Sequence, residues 1–152
     1  DPQARPSGQG TPRVSVIVPT LNEVRNVGVL VDELARAFAG EAYGCEILVA
    51  DGGSKDGTRA KVASLRSPLP LRLIECSGSG GLAGDVLEAA RQARGEVVVL
   101  IDADLSHPPS RAPELARAAS SSDSNCCCAA ARTCGSARSR SRSTTANAAN
   151  PR

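Results

Sequence analysis

Apolar positions follow two alternating patterns along the chain, and together they predict a parallel α/β sheet. Short runs rich in Val, Ile and Leu are typical of buried strands, and they occupy residues 14–18, 47–50, 71–75 and 97–101. Apolar residues spaced three or four apart predict helices, which we place at residues 24–38, 58–65, 82–94 and 110–118. This alternation is typical of right-handed crossovers that put helices on both faces of a parallel sheet.

The composition decides what fills the core of this sheet. The chain is 41% hydrophobic but has one Phe, one Tyr, no Trp and no Met, so the core must be aliphatic. We expect Val86, Leu87 and Ala90 to form the buried side of the third helix. The length, 152 residues, is that of one domain. No apolar run approaches the ~20 residues of a membrane span, and no signal peptide is evident; the start at Asp1 indicates a fragment or a processed form.

The six cysteines do not predict a disulfide framework. Cys45 and Cys76 lie in or beside predicted strands and are expected to be small buried hydrophobes. The cysteines at 126–128 and 134 lack the spacing of paired zinc ligands. Cysteine usage therefore favours a cytosolic protein.

The two ends of the chain differ in composition from its body. Residues 1–12 form a polar leader and residues 119–152 a basic tail of Ala, Ser, Arg, Cys, Asn and Thr, and we expect both to be disordered. Two interpretations of the tail stay open: an Arg-Ser segment that neutralises phosphates of RNA or anionic lipid, or an extension without a role from a shifted reading frame.

Each chemically unusual segment directly follows a predicted strand. These segments are residues 19–23, 51–58, 77–81 and 102–104. Ligands of open α/β sheets bind outside the carboxyl ends of the strands. The four segments are therefore expected to meet at one rim and to form a ligand site there.

Asp102 and Asp104 stand at the end of the fourth strand, spaced i, i+2. In extended backbone their side chains point the same way and repel each other unless a cation lies between them. A hard divalent ion such as Mg²⁺ or Mn²⁺, shared with a phosphate, suits such a pair. Two other interpretations stay open: solvated loop acids, or a cap on the following helix.

The glycine segment at 78–83 fits the dinucleotide fingerprint G-x-G-x-x-[GA], with Asp102 roughly twenty residues further on. That fingerprint usually lies in the first βαβ unit, whereas this is the third, and it leaves the other rim segments without a role. The glycines could instead admit a ligand phosphate or form a flexible connection. Asp51 is placed to accept from a base or ribose, or to begin a turn. Asp56 is expected to cap its helix, and His107 to be structural.

Three motifs carry a resemblance to a known family: VIVPTLNE at 16–23, ADGGSKDGT at 50–58 and GEVVVLIDADLSHPP at 95–109. In this order and spacing they closely resemble the family 2 glycosyltransferases of the GT-A fold, in particular polyprenol-phosphate (dolichyl-phosphate) mannosyltransferases. The resemblance covers about residues 13–118. It implies a Rossmann-like parallel sheet that holds the nucleotide sugar, with the acceptor-binding C-terminal half incomplete.

The resemblance also assigns roles to individual residues. Nucleotide-sugar contacts are implied for Pro19, Leu21, Glu23, Val49, Asp51, Asp102, Ala103 and Asp104. It implies a Mg²⁺ or Mn²⁺ ion on Asp102, Asp104 and Ser106, with Asp104 as the catalytic residue. The chain departs from the family at Leu21 (commonly Tyr), Gly52 (often a second Asp) and Ser106 (Gln in some members), and residues 77–81 carry no Lys or Arg.

The activity that the resemblance implies is an inverting, metal-assisted hexosyl transfer. Mannose from GDP-mannose is the favoured donor, and a polyprenyl or dolichyl phosphate is the implied acceptor. The implied location is cytoplasmic, with peripheral contact at the cytoplasmic face of a membrane as an open alternative, and no nucleic-acid partner is expected. The alternative function is that of a truncated, catalytically inactive nucleotide-binding fragment of such an enzyme.

Overall fold

The computed structural model describes residues 11–120 and the backbone of residues 130–132. Four parallel strands form the sheet, namely β1 (Val14–Thr20), β2 (Cys45–Asp51), β3 (Leu71–Glu75) and β4 (Val97–Leu100). The helices are α1 (Val27–Phe38), α2 (Thr58–Ser64), α3 (Gly81–Gln92) and α4 (Ala112–Ser120), the last preceded by a 3-10 turn at Pro109–Arg111. The predicted parallel α/β sheet is confirmed.

The strand order β3-β2-β1-β4 places β1 between β2 and β4. The first two crossovers move the chain outward from β1 to β3, and α3 then returns it to the opposite side of β1. The order therefore reverses between β1 and β4. At such a switch point the loops leave in opposite directions and open a crevice at the carboxyl ends of the strands.

The pleat of the strands sorts aliphatic side chains into two layers. Val16 and Val18 of β1 belong to the layer beneath α1, α2 and α4, whereas Ile17 between them faces α3. Helices thus cover both faces, and every residue of β1 and β2 is buried. Cys45 and Cys76 are buried free thiols, as predicted. Burial raises the pKa of Cys45 to about 12 and that of Cys76 to about 11, so both stay protonated at neutral pH.

Strand β1 continues through Pro19, where the sequence pattern predicted its end. The backbone N–H of Ile101 donates to the carbonyl of Ile17 (3.0 Å), which shows that Ile17 faces the β4 side. Pro19, two residues on, faces the same side, but β4 has ended at Leu100. The missing N–H of the proline therefore breaks no ladder hydrogen bond, and the strand is not interrupted.

The predicted buried side of α3 is wrong at Leu87, whose side chain is 59% exposed. The buried positions of α3 are Asp85 and Ala89, and Val86 and Ala90 are half-buried. The helix packs on β1 and β2 through small residues, which lets it lie close to the sheet and turns Leu87 outward.

A buried carboxylate, that of Glu46, links β1, β3 and the turn between α3 and β4 near the beginnings of the strands. Glu46 accepts hydrogen bonds from the Ser15 hydroxyl (2.7 Å) and the Arg94 backbone N–H (2.7 Å), and lies 3.3 Å from the Arg72 guanidinium. The Ser15 hydroxyl in turn accepts from the N–H of Gly95 (2.9 Å). These contacts hold the α3–β4 turn against the beginning of β1 and β2.

The structure differs from the prediction that residues 119–152 hold no regular element. Helix α4 runs to Ser120, and Ala130–Arg132 forms a short strand, β5, antiparallel to β4. Without β5, the outer edge of β4 would offer unpaired backbone N–H and C=O groups. An extended segment can form hydrogen bonds with these groups, and its side-chain types matter little for this. The leader before residue 11, the rest of the tail and its four cysteines lie outside the described residues. Within the described residues no helix has the length and apolar character of a membrane span.

Candidate functional site

An open hollow of about 300 Å³ lies at the carboxyl ends of the strands, where β1 and β4 diverge. Its lining comes from the end of β1, from the segments that follow the four parallel strands and from the first turns of α3: Pro19, Thr20, Leu21, Glu23, Gly52, Gly78, Gly81, Leu82, Asp85, Asp102, Ala103 and Asp104. The predicted meeting of four segments at one rim is therefore confirmed. The hollow is at the lower end of the size range of small-molecule sites.

The two acids that follow β4 are both exposed and both line this hollow. The strand ends at Leu100, so both acids lie beyond it, and Asp104 lies in a turn that begins at Ala103. Ala103 between them is buried and fixes the turn against the core. Burial alternates from Ile101 to Asp104, with both acids exposed, and both acids share the hollow.

Asp104 is oriented by the next turn of chain. The backbone N–H of Ser106 donates to Asp104 Oδ1 (2.9 Å). Hydrogen bonds from Ser106, first its side chain and then its backbone, lower the pKa of Asp104, so this carboxylate is ionised at neutral pH. Ser106 itself is exposed outside the hollow lining, with its hydroxyl 3.2 Å from Nδ1 of His107. In this structure Ser106 orients Asp104.

The donor set suits a divalent ion that is shared with a ligand. Among the described residues, no three His, Cys, Asp or Glu side chains stand close enough to hold a metal by themselves. Mg²⁺ is commonly held by one or two carboxylates, with waters and substrate phosphates completing its coordination. Asp102 and Asp104 can supply such a pair.

The loop after β1 is tied to the loop after β2. Asn22 donates its backbone N–H to the Ser54 hydroxyl (2.8 Å), and its side-chain oxygen accepts from the N–H of Lys55 (2.9 Å). The N–H of Glu23 donates to the Thr58 hydroxyl (2.9 Å). These bonds join the two loops into one wall of the hollow, which carries Pro19, the exposed Leu21 and the half-buried Glu23.

Asp51 lies behind this wall and does not line the hollow. Its fully buried carboxylate accepts hydrogen bonds from Thr20 (3.1 Å), from the hydroxyl and N–H of Ser54 (2.5 and 3.0 Å) and from Arg59 Nε (2.5 Å). Burial raises the pKa of Asp51, but the bonds from Ser54, Arg59 and Thr20 outweigh it and lower the pKa to about 2. The predicted contact of Asp51 with a base or ribose stays a prediction.

We expect Asp51 to make folding stability depend on pH in acid. Its pKa falls from 3.8 in the unfolded chain to about 2 in the fold, so its contribution is complete above about pH 4 and lost as the pH falls toward 2. The contribution is about 2 kcal/mol. Urea unfolding between pH 2 and 7 should show this loss in the wild type but not in Asp51→Asn. Asp32→Asn, at an exposed position of α1, is the control; an unchanged acid slope in Asp51→Asn would contradict the assignment.

Val49 is also outside the lining of the hollow. Its side chain is fully buried in the layer beneath α1, since the pleat of β2 turns it away from α3. The nucleotide contact that the resemblance implies for Val49 stays a prediction. The N-cap residue of α2 is Gly57 and not Asp56 as predicted, but Asp56 Oδ1 still accepts from the N–H of Thr58 (3.0 Å), the first residue of the helix.

The helix side of the hollow is lined by Gly78, which belongs to the glycine segment singled out from the sequence, and by Asp85, which the sequence analysis did not single out. Gly78 has φ +70°, and a Cβ there would lie 2.6 Å from the carbonyl oxygen of Gly52, so close packing accounts for this glycine. Asp85 lies on the inward stripe of α3, four residues before Ala89. The spacing of four residues between Asp85 and Ala89 puts both on one face of the helix, and this is the sequence signal that could have predicted Asp85 on the sheet side of α3.

The comparisons with known proteins identify the family. The model of glycosyl transferase family 2 matches residues 15–151, which extends past residue 118, where the resemblance of the motifs ends. The chain is 40% identical over 106 residues to the dolichol-phosphate mannosyltransferase of Pyrococcus furiosus, covering 70% of this chain and 30% of that protein. It is 39% identical over 114 residues to that of Mycosarcoma maydis, covering 72% and 39%. The chain belongs to glycosyl transferase family 2, and it spans 30–39% of the length of these relatives.

Solved structures agree on the GT-A fold. A mannosyltransferase from Pyrobaculum calidifontis, solved in complex with GDP-Man and Mn²⁺, is 36% identical with a TM-score of 0.52, covering 72% of this chain and 32% of that chain. Glucosyl-3-phosphoglycerate synthase from Mycobacterium tuberculosis is 21% identical with a TM-score of 0.52, covering 67% of this chain and 37% of that chain. At this identity the similarity shows only that the two proteins have the same fold. Family membership favours the glycosyltransferase interpretation over the dinucleotide fingerprint.

Proposed function

We propose that this chain is the nucleotide-sugar-binding part of an enzyme that transfers a hexose from a nucleotide sugar to a polyprenyl or dolichyl phosphate. Mannose from GDP-mannose is the donor we favour. The observation that carries the proposal is the pair Asp102 and Asp104 on one hollow at the β1/β4 switch point. Relatives named dolichol-phosphate mannosyltransferase and a related mannosyltransferase solved with GDP-Man and Mn²⁺ support it.

The proposed chemistry follows from where charge develops. Departure of a nucleoside diphosphate builds negative charge on the leaving oxygens, and a bound Mg²⁺ or Mn²⁺ would neutralise it. Asp102 and Asp104 would hold that ion, and Ser106 would keep Asp104 ionised and oriented. The loops after β1 and β2, which are joined by hydrogen bonds, would hold the nucleotide in a fixed position. Little free energy would then be spent on reorganising the loops when the nucleotide binds.

The acceptor in this proposal needs no strong general base. A polyprenyl phosphate oxygen is already an anionic nucleophile at neutral pH, and its attack on the face opposite the leaving diphosphate would invert the anomeric centre. Such an acceptor is anchored in a lipid bilayer, so the proposal includes that the enzyme acts at the cytoplasmic face of a membrane.

A second candidate function is nucleotide-sugar binding without transfer. The observation that favours it is the share of the relatives that this chain spans, 30% and 39% of their length. The part of the enzyme that binds the lipid acceptor would then lie beyond the matched segment.

Calorimetric titration with GDP-mannose, with and without Mn²⁺, tests the shared part of both candidates. We expect binding that depends on Mn²⁺, tighter for GDP-mannose than for UDP-glucose. Incubation of labelled GDP-mannose with polyprenyl phosphate and Mn²⁺ then separates the candidates. Transfer of label to lipid supports the enzyme, binding without transfer supports the second candidate, and absence of binding overturns both.

A further inference from the structure

Asp85 is a buried acid that reaches the hollow from the helix side of the sheet. Only 8% of its surface is exposed, and it belongs to the lining. Its Oδ2 lies directly against Gly52, close enough that a Cβ on Gly52 would collide with it. The carboxylate thus occupies the space that a side chain at position 52 would otherwise fill.

The neighbouring thiol does not occupy this carboxylate. In the part of the chain that the structure describes, the thiol of Cys76 donates to the backbone carbonyl of Asp85 (3.7 Å) and not to its side chain. Burial, and then the charge of Asp85, raise the pKa of Cys76 to about 11, so the thiol keeps its proton and can donate it. Because that proton goes to the backbone carbonyl, the acceptor capacity of the carboxylate stays available to the hollow that Asp85 lines.

A buried carboxylate costs free energy unless hydrogen-bond donors replace the water it has lost. A metal shared with Asp102 and Asp104 is not the group we assign to it, because among the described residues no third acid stands close enough to join that pair. A phosphate is excluded as well, since two anions in a shared hollow repel each other. The group that suits Asp85 is therefore an uncharged O–H or N–H donor of a bound ligand.

The strand order assigns this donor to one part of a nucleotide. Asp102 and Asp104 follow β4, whereas Gly52, against which Asp85 rests, follows β2 on the other side of β1. A nucleoside diphosphate whose phosphates lie at the acid pair would extend its nucleoside toward Gly52 and Asp85. Ribose hydroxyls and base N–H groups are the uncharged donors that it would bring there.

We propose that Asp85 is a specificity-determining residue whose carboxylate accepts hydrogen bonds from the nucleoside of the donor substrate. This inference rests on the proposed function and adds to it a recognition contact supplied by α3. The contact would select ligands that place an O–H or N–H donor at this position and would disfavour ligands that place a phosphate there.

The test compares Asp85→Asn with the wild type in calorimetric titrations of GDP and of pyrophosphate, both with Mn²⁺. We expect the affinity for GDP to fall about 10- to 100-fold, the range of one hydrogen bond to a charged group, and the affinity for pyrophosphate to stay unchanged. The matched control is Glu88→Gln, which removes the same charge from the solvent side of α3 and should bind both ligands as the wild type does.

A rescue experiment separates the carboxylate from a general effect on folding. Gly52 does not have a left-handed φ, and apart from Asp85 the nearest atom to a Cβ there is the Thr20 carbonyl oxygen at 3.8 Å. With Asp85→Ala the space is free, so adding Gly52→Asp would return a carboxylate to the same place from the other side. We expect the double variant to bind GDP more tightly than Asp85→Ala alone.

The outcomes distinguish this inference from the proposed function. If the wild type binds GDP with Mn²⁺ and Asp85→Asn binds it equally well, the role of Asp85 is overturned and the proposed function stands. Equal losses of GDP and pyrophosphate, or a double variant as weak as Asp85→Ala, also overturn it. If the wild type binds neither ligand, both proposals fail.

Discussion

Replacement of Glu46 by Ala is expected to lower the free energy of unfolding by about 3 kcal/mol, the lower end of the range for breaking a buried ion pair. Glu46 is 1% exposed, and its removal leaves the Ser15 hydroxyl and the Arg94 N–H without their acceptor. Arg72 would lose its ion-pair partner but would keep its hydrogen bond to the carbonyl of Gln92 (2.6 Å). The α3–β4 turn would lose the contact that holds it against the sheet.

Urea unfolding followed by circular dichroism at pH 7 measures this loss. The control is Glu88→Ala, which breaks a surface pair with Arg91 and an exposed hydrogen bond from Gln92, and should change the free energy of unfolding by about 0.5 kcal/mol or less. Glu46→Gln keeps the shape of the side chain and should fall between the wild type and Glu46→Ala. A loss below about 1 kcal/mol in Glu46→Ala would show that the network does not stabilise the fold.

Replacement of Asp104 by Ala is expected to remove the Mn²⁺-dependent part of nucleotide binding. Under the proposed function, Asp102 and Asp104 are the protein ligands of the ion, and Asp102 alone would hold it weakly between itself and the diphosphate. Loss of groups that only support a metal ligand already costs about 10- to 100-fold in metal affinity, so loss of the ligand should cost about 100-fold or more. Calorimetry with GDP, with and without Mn²⁺, measures the difference.

Two further variants make the result for Asp104 specific. Ser106→Ala keeps the backbone N–H that donates to Asp104 and should weaken Mn²⁺-dependent binding by about tenfold or less. Asp32→Ala, exposed on α1, should behave as the wild type. If Asp104→Ala retains its full response to Mn²⁺, the acid pair is not the metal site.

The sequence by itself determined the sheet and the location of the site. Runs of Val and Ile between helical segments predict a parallel sheet, because apolar runs of this length must be covered by helices on both faces. Once the sheet is parallel, every loop after a strand reaches the same edge. The sequence therefore predicts one rim for Asp102, Asp104, Pro19, Leu21 and Glu23, and the structure brings all five to the hollow.

Only the tertiary structure decided which way individual side chains face. The stripe of α3 is weakly marked in sequence, since alanines and glycines surround its few large residues, and packing against the sheet chose Asp85 and Ala89 over Leu87. The pleat of β2 likewise turned Val49 into the core.

The partners of the buried acids were also decided in three dimensions. Asp51 pairs with Arg59 across a loop, and Glu46 binds groups of β1, β3 and the turn before β4. Apolar patterning specifies which element forms and which edge it reaches, because burial depends on the periodicity of hydrophobic residues. The partner of a polar side chain depends on atomic distances between segments far apart in the chain, and these exist only once the fold has formed.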